Sequence, residues 1–174
     1  MILETNRLIL RELTYNDFSS LYAVLADSDI MVHYPCTFDE HRVRRWIAKN
    51  IERYNDDGFG LWAVVLRESG EMIGDCGITM QNIDGQLLPE IGYHIRKDQQ
   101  KKGYATEAAA ECIRYGFEEL NFDRLYSYMK YTNEASARVA VKNGMRFIKE
   151  YPDAENTFTR VYSISREEWK SNIC

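Results

Sequence analysis

The stretch QQKKGYATEAAAECIRYGFEEL, from Gln99 to Leu120, holds a helix without an evident cap. Ala105, Ala108, Ala109, Cys112, Gly116 and Leu120 recur at the spacing of one helical face, with Ile113 and Phe117 beside them. The first N–H groups of a helix need acceptors, ordinarily a Ser, Thr, Asp or Asn side chain at the boundary. Two glutamines, two lysines and a glycine stand there instead. Free amides, the positive end of the helix dipole and a glycine that admits close approach make a site for an anion such as phosphate. Lys101 and Lys102 add charge to it. The alternative is a surface helix capped by water, its lysines a solvated pair. Neither G-x-x-x-x-G-K-[ST] nor G-x-G-x-x-G occurs here, which weakens the P-loop and dinucleotide readings.

The elements around this helix follow from periodicity. Arg7 to Arg11 alternates as a strand, and Asn16-Asp17 opens a helix through Phe18, Leu21, Tyr22 and Leu25. A second helix follows Asp39 and carries Val43, Trp46, Ile47 and Ile51 inward. Leu61 to Leu66, Met72 to Met80 and Leu88 to Ile95, separated by turns at Glu68 to Glu71 and Asp84-Gly85, read as an antiparallel meander. Beyond the uncapped helix come a strand from Arg124 to Lys130, a helix from Asn133 to Asn143 ended by Gly144, and strands at Arg146 to Glu150 and Phe158 to Ile164. No linker or repeat interrupts the order, so residues 1–174 are expected to form a single α/β (α+β) domain with a mixed sheet.

Composition narrows the function classes. With 45% hydrophobic and 28% charged residues the chain reads as globular, and a net charge of −5 argues against general nucleic-acid binding. The apolar start Met1-Ile2-Leu3 breaks at Glu4, short of a signal peptide, and no run reaches the length of a membrane span. A cytoplasmic protein without a membrane partner is expected. Cys36, Cys76, Cys112 and Cys174 form no C-x-x-C pair, and His33, His41 and His94 lack zinc-ligand spacing, so no disulfide framework and no metal is indicated.

Gln100-x-x-Gly103-x-Ala105, followed by Tyr104-Ala105-Thr106-Glu107-Ala108, resembles the pyrophosphate loop of the GNAT acetyltransferases, in the branch similar to ribosomal-protein alanine N-acetyltransferases of the RimJ/RimL type. The resemblance runs in order through Thr5-Asn6-Arg7-Leu8, Gly70 to Gly74, Glu90 to Tyr93, Asn133-x-x-Ser136 and Lys142 to Met145, and so covers nearly the whole chain. It implies the GNAT fold: a mixed, mostly antiparallel sheet with flanking helices, and acetyl-coenzyme A between two splayed parallel strands, here Leu88 to Ile95 and Leu125 to Lys130. It further implies cosubstrate contacts to the backbone near His94 and Ile95, to Gln100, Lys101, Lys102, Gly103, Tyr104, Ala105 and Thr106, and to Asn133. Two departures stand out. Lys101 replaces a glycine common in the branch, and Ala140 occupies the place where several members carry a tyrosine acid.

Acetyl transfer to an amine needs a neutral nitrogen, oxyanion stabilisation and a proton for the departing sulfur. Direct transfer in a ternary complex requires no cysteine nucleophile. Glu90, on a strand face with Gly92 and His94, is the candidate base through water; an exposed strand glutamate is the alternative, and His94 is the competing base. Ser136 is the candidate proton donor to sulfur, with Tyr128 a third possibility; helix capping with Asn133 is its alternative role. The acceptor is expected to be an amine, by the branch and by pKa a protein or peptide N-terminus, with small amines, polyamines and aminoglycoside-like compounds as alternatives. A module that senses acyl-coenzyme A without turnover is the reading from another class. Specificity is expected in the loop Asp29 to Tyr34 and the following helix, with Tyr34 and Trp46 as core or pocket wall. Monomer and homodimer both fit.

Overall fold

A computed structural model describes residues 2–173; Met1 and Cys174, which entered the sequence reading, lie outside the described residues. Eight strands form one sheet: β1 (Ile2–Glu4), β2 (Leu8–Glu12), β3 (Leu61–Leu66), β4 (Met72–Ile83), β5 (Gln86–Ile95), β6 (Arg124–Lys130), β7 (Arg146–Asp153) and β8 (Thr157–Ser165), in the order β1-β2-β3-β4-β5-β6-β8-β7. All neighbours are antiparallel except β5 and β6. Five helices flank it: α1 (Phe18–Leu25), α2 (Glu40–Asp56), α3 (Tyr104–Glu118), α4 (Glu134–Lys142) and α5 (Arg166–Ile173). Among the described residues no helix is long and apolar enough to cross a membrane.

Strand β3 explains the layering. Leu61-Trp62-Ala63-Val64-Val65 is apolar throughout because both of its faces are covered. Trp62 and Val64 join a core with Ile78, Ile91, Ala108, Cys112 and Phe117, which is the α3 side. Ala63 and Val65 join Leu21, Leu25, Val43 and Ile47, which is the side of α1 and α2. Asp39 caps α2, its carboxylate accepting from the Arg42 amide at 2.7 Å, and Val43 and Ile47 point inward as expected. Cys76 and Cys112 face each other across the α3 core as free thiols, 3.7 Å apart.

The meander, the parallel pair and the helices fall where the sequence places them, with four differences. Strand β1 and helix α5 had no periodic signal of their own. Three residues of β1 hold by pairing with β2, Ile2 opposite Arg11 to Glu4 opposite Ile9, and by Leu3, which joins the core on the α3 side. The hairpin strands also run longer than their apolar patterns, since Ile83 pairs with Gln86 across the two-residue turn Asp84-Gly85. Both turn residues have positive φ, 51° and 79°, the twist that carries pairing right up to the turn. Likewise β7 continues to Asp153, pairing with Thr157 at the next turn.

Packing at Gly77 tests this arrangement. A Cβ there would lie 2.0 Å from the Gly60 carbonyl oxygen and 2.7 Å from the Leu61 Cα, both backbone atoms. At Gly92, directly opposite, the nearest atoms to a Cβ would be those of the Glu90 carboxylate, from 3.1 Å. Gly77→Ala is therefore expected to lose about 2 kcal/mol or more in urea denaturation, the cost of an overpacked site with no side chain to move. Gly92→Ala is expected to lose about half that or less.

Candidate active site

The site begins with a ladder of facing residues on β4 and β5: Asp75 opposite His94, Gly77 opposite Gly92, Thr79 opposite Glu90. Directly opposed residues share a face, and this face lies beneath α2. A bulge makes it so. Val64 pairs with Gly74 but Val65 with Met72, leaving Ile73 extra and shifting the alternation of the strand beyond it. Ile73, Cys76 and Ile78 consequently enter the α3 core, whereas Asp75 turns to α2.

Asp75 is fully buried and accepts two hydrogen bonds, from Trp46 Nε1 at 2.9 Å and from His94 Nδ1 at 2.8 Å. His94 Nε2 meets the Tyr34 hydroxyl at 2.8 Å. Thr79 Oγ1 donates to Glu90 Oε2 at 3.3 Å. Tyr34, Trp46, Thr79, Glu90 and His94 line a cavity of about 160 Å³, with Asp75 behind them, and Tyr128 and Ser136 close it from the side of β6 and α4. Burial pushes the Glu90 carboxyl up to about 7, although the Thr79 bond and the fields of His94 and Arg53 pull the other way. For His94 burial opposes the charge, but the field and hydrogen bond of Asp75 outweigh it and raise the imidazole pKa. A base near neutrality in an aromatic-walled cavity is suited to taking a proton from an amine.

Beside the cavity, β5 and β6 part. Their parallel pairing consists of one position, Glu90 opposite Tyr126, while β6 pairs along its whole length with β8. From Ile91 onward the β6-facing edge of β5 is without a strand partner; Ser127 Oγ donates to the Ile91 carbonyl at 3.3 Å. Past the end of β5 stands the start of α3. Gly103 has φ of 86° and offers no side-chain cap, and the first helical bond runs from the Glu107 amide to its carbonyl. Among the described residues no acceptor partners the amides from Lys101 to Thr106. A Cβ on Gly103 would meet only Arg7 Nη2, at 3.4 Å, so the approach to these amides is open. The donor set fits the pyrophosphate of coenzyme A.

The predicted residues divide between two places. Glu90, His94, Asn133 and Ser136 line the cavity. Lys101, Lys102, Gly103, Tyr104, Ala105 and Thr106 form the uncapped turn outside it, with Lys101 at φ 61°. Gln100 and Ile95 join strand to turn, Gln100 Nε2 donating to the Ile95 carbonyl at 2.9 Å. Glu90 is buried, which removes the exposed-glutamate alternative. The cap of α4 is the Asn133 side chain, which accepts from the Ser136 amide at 3.1 Å, so the Ser136 hydroxyl is not the capping group. Tyr34 and Trp46 are pocket wall as expected, and hold His94 and Asp75 besides.

Sequence reasoning missed two features. Asp75 has a visible signal, a charged residue inside an otherwise apolar strand. The second is the clasp under the uncapped turn. Glu107 accepts from Thr5 Oγ1 at 2.6 Å, the Arg7 amide at 2.9 Å and Arg7 Nε at 2.6 Å. Arg7 Nη1 donates to the Lys102 carbonyl at 3.0 Å, and its guanidinium lies 4.5 Å from the centre of the Tyr104 ring. Together they fix the turn against β2 with its amides outward.

This fold and site are those of an acyl-transferring domain, and comparison with known proteins names the class. Residues 7–146 match the model of the acetyltransferase (GNAT) domain. The uncharacterized N-acetyltransferase YnaD of Bacillus subtilis is 33% identical over 97% of this chain and 99% of its own. A GNAT-family acetyltransferase structure from Bacillus anthracis superimposes with a TM-score of 0.83 at 26% identity, covering 96% of this chain and 99% of that one. RimL, a ribosomal L7/L12 α-N-protein acetyltransferase solved with coenzyme A, shares the fold with a TM-score of 0.79 at 16% identity, over 95% and 98% of the two chains. The chain belongs to the GNAT family of acetyltransferases, enzymes that use acetyl-coenzyme A.

The raised pKa of Glu90 has a consequence for stability. The fold holds the proton more tightly than the unfolded chain, so this group's contribution is fully present below about pH 4.5 and is lost as pH rises to about 7. At about 1.4 kcal/mol per pH unit the loss is roughly 3 kcal/mol. Glu90→Gln is therefore expected to gain on the wild type by about that amount between pH 4.5 and 8 in denaturant unfolding. A difference independent of pH would mean that Glu90 titrates normally.

Proposed function

We propose that the chain transfers the acetyl group of acetyl-coenzyme A to the α-amine of a protein or peptide N-terminus, by direct attack in a ternary complex. The observation that carries this reading is the single-bridge parting of β5 and β6, which lies between the uncapped turn and the cavity of Glu90. The amides from Lys101 to Thr106 take the pyrophosphate, and the unpaired edge of β5 near His94 and Ile95 takes the amides of the pantetheine arm. The bound cosubstrate supplies a thioester carbonyl as electrophile. Asn133 positions it, and Ser136 gives the departing sulfur a proton where Ala140 has none to give.

Glu90 removes a proton from the acceptor, through water. Its pKa of about 7 favours one class of amine. An α-ammonium near 8 gives up a proton to such a carboxylate at about 1.4 kcal/mol, whereas a lysine near 10.4 costs roughly 4.6 kcal/mol. The resemblance to the RimJ/RimL branch points the same way. The acceptor enters past the loop from Asp29 to Tyr34, and residues 1–174 work as one cytoplasmic catalytic domain.

Thiol release from acetyl-coenzyme A across a panel of peptides, small amines, polyamines and aminoglycosides tests the acceptor. Peptides with a free N-terminus are expected to be acetylated, and N-terminally blocked peptides bearing lysine to be slow. Calorimetry with Gly103→Asp, which sets bulk and negative charge among the amides, is expected to show at least tenfold weaker cosubstrate binding. Unchanged affinity in the folded variant would remove the turn from the site.

A further inference from the structure

Making an amide from an ammonium and a thioester removes two protons from nitrogen, since the ammonium carries three N–H bonds and the amide one. The first must leave before the lone pair can attack. The second leaves as the C–N bond forms and the C–S bond breaks. Once Glu90 has taken the first it cannot take another until it has released it, so an efficient centre needs a second acceptor within reach.

The cavity contains one. Asp75 accepts from both Trp46 Nε1 and His94 Nδ1, and an accepting carboxylate there fixes the neutral imidazole with its proton on Nδ1. His94 Nε2 is then an acceptor, and the 2.8 Å contact with Tyr34 is an O–H donated by the phenol. The lone pairs of the Tyr34 oxygen remain for a further N–H. Asp75 and His94 are buried, whereas Tyr34, on the loop between α1 and α2, is 42% exposed with its ring tilted against His94. Tyr34 and His94 both line the cavity, and Tyr34 is the exposed end of this buried chain of hydrogen bonds.

We propose that Tyr34 is the second proton acceptor of the transfer centre: its oxygen takes a proton from the acceptor nitrogen while its own O–H proton passes to His94 Nε2, and Asp75 balances the imidazolium so formed. The inference rests on the acetyl-transfer reading above. The nitrogen lone pair forms the C–N bond and the C–S electrons leave with sulfur. Sulfur takes its proton from Ser136, which is restored from water. His94 afterwards returns its proton through Tyr34 to water, and Glu90 releases the first, so two protons leave nitrogen, one is taken up, and one is released per turnover. Desolvation around its hydroxyl, with the fields of Glu90 and Asp75, holds the phenol pKa above its usual value although the ring is part exposed, which disfavours a free phenolate but not this concerted exchange.

The relay works only while His94 Nε2 is unprotonated, and Glu90 only while it is ionised. The groups whose charge bears on them are Asp75 on β4, Arg53 on α2, Tyr93 on β5 and Tyr128 on β6. Below both pKa values the single-turnover rate at saturating substrates is therefore expected to fall with the second power of proton concentration, a slope of two against pH. Tyr34→Phe keeps the ring and is expected to lower the rate tenfold or more, leave the KM for acetyl-coenzyme A unchanged and reduce the slope to one. Glu90→Gln is also expected to give a slope of one. A Tyr34→Phe enzyme with the wild-type rate or a slope of two, or with only a raised KM for the acceptor, overturns the relay and leaves Glu90 standing. A slope of two in Glu90→Gln beside one in Tyr34→Phe removes Glu90 and keeps the relay. Nitrogen-15 spectra of the imidazoles need no acceptor. Neutral His94 is expected to carry its proton on Nδ1, and a proton on Nε2 contradicts the chain of donors.

Discussion

A parallel pair that touches at one position and then separates is the constraint on which the site depends. Buried backbone groups must be hydrogen-bonded, and a sheet ordinarily meets that demand by continuing its ladder. Here β6 is paired over its full length with β8 and shares only the Glu90 to Tyr126 position with β5. The edge of β5 beyond it is a row of amides and carbonyls arranged for a strand that does not arrive. The start of α3 repeats the condition at the end of the same strand, with amides that nothing in the described chain accepts from. A ligand with an extended amide arm and a pyrophosphate would complete both.

The polar face of β4 and β5 can be read in the same terms. Asp75, His94 and Glu90 are charged or chargeable groups taken out of water, which is unfavourable unless each finds partners. Asp75 and His94 find each other, with Trp46 and Tyr34 completing the set. Glu90 receives one long bond from Thr79 and is the least satisfied of the three. Its raised pKa and its readiness to accept a proton are one property. Gly92, which lines the cavity beside it, keeps the space next to the carboxylate clear of a side chain.

Much of this was legible in the sequence because it is local. Apolar periodicity located the helices and the meander, Asp84-Gly85 located the hairpin, and the lack of a cap before Tyr104 left anion and water both open until the family resemblance favoured a phosphate. Long-range features were not legible. The extra residue at Ile73 decides which face Asp75 takes, and it shows only in the register of β3 against β4. Tyr34 and His94 are 60 residues apart, and no spacing rule joins them. Strand β1 exists by its pairing and by Leu3 in the core. Helix α5 is a different case: Ser165 and Glu168 bond each other's amides, an S-x-x-E signature that was there to be read.

Hydrogen exchange measured amide by amide, with and without acetyl-coenzyme A, tests the parted strands most directly. Two separate groups of amides should slow together on addition of the cosubstrate: those of Lys101 to Thr106 and those on the β6-facing edge of β5 near His94 and Ile95. The amides that β5 shares with β4 should hardly change, since their partners are already in place. Exchange left unaltered at both the turn and the strand edge, under conditions where the protein is saturated with acetyl-coenzyme A, would contradict the placement of the cosubstrate between β5 and β6.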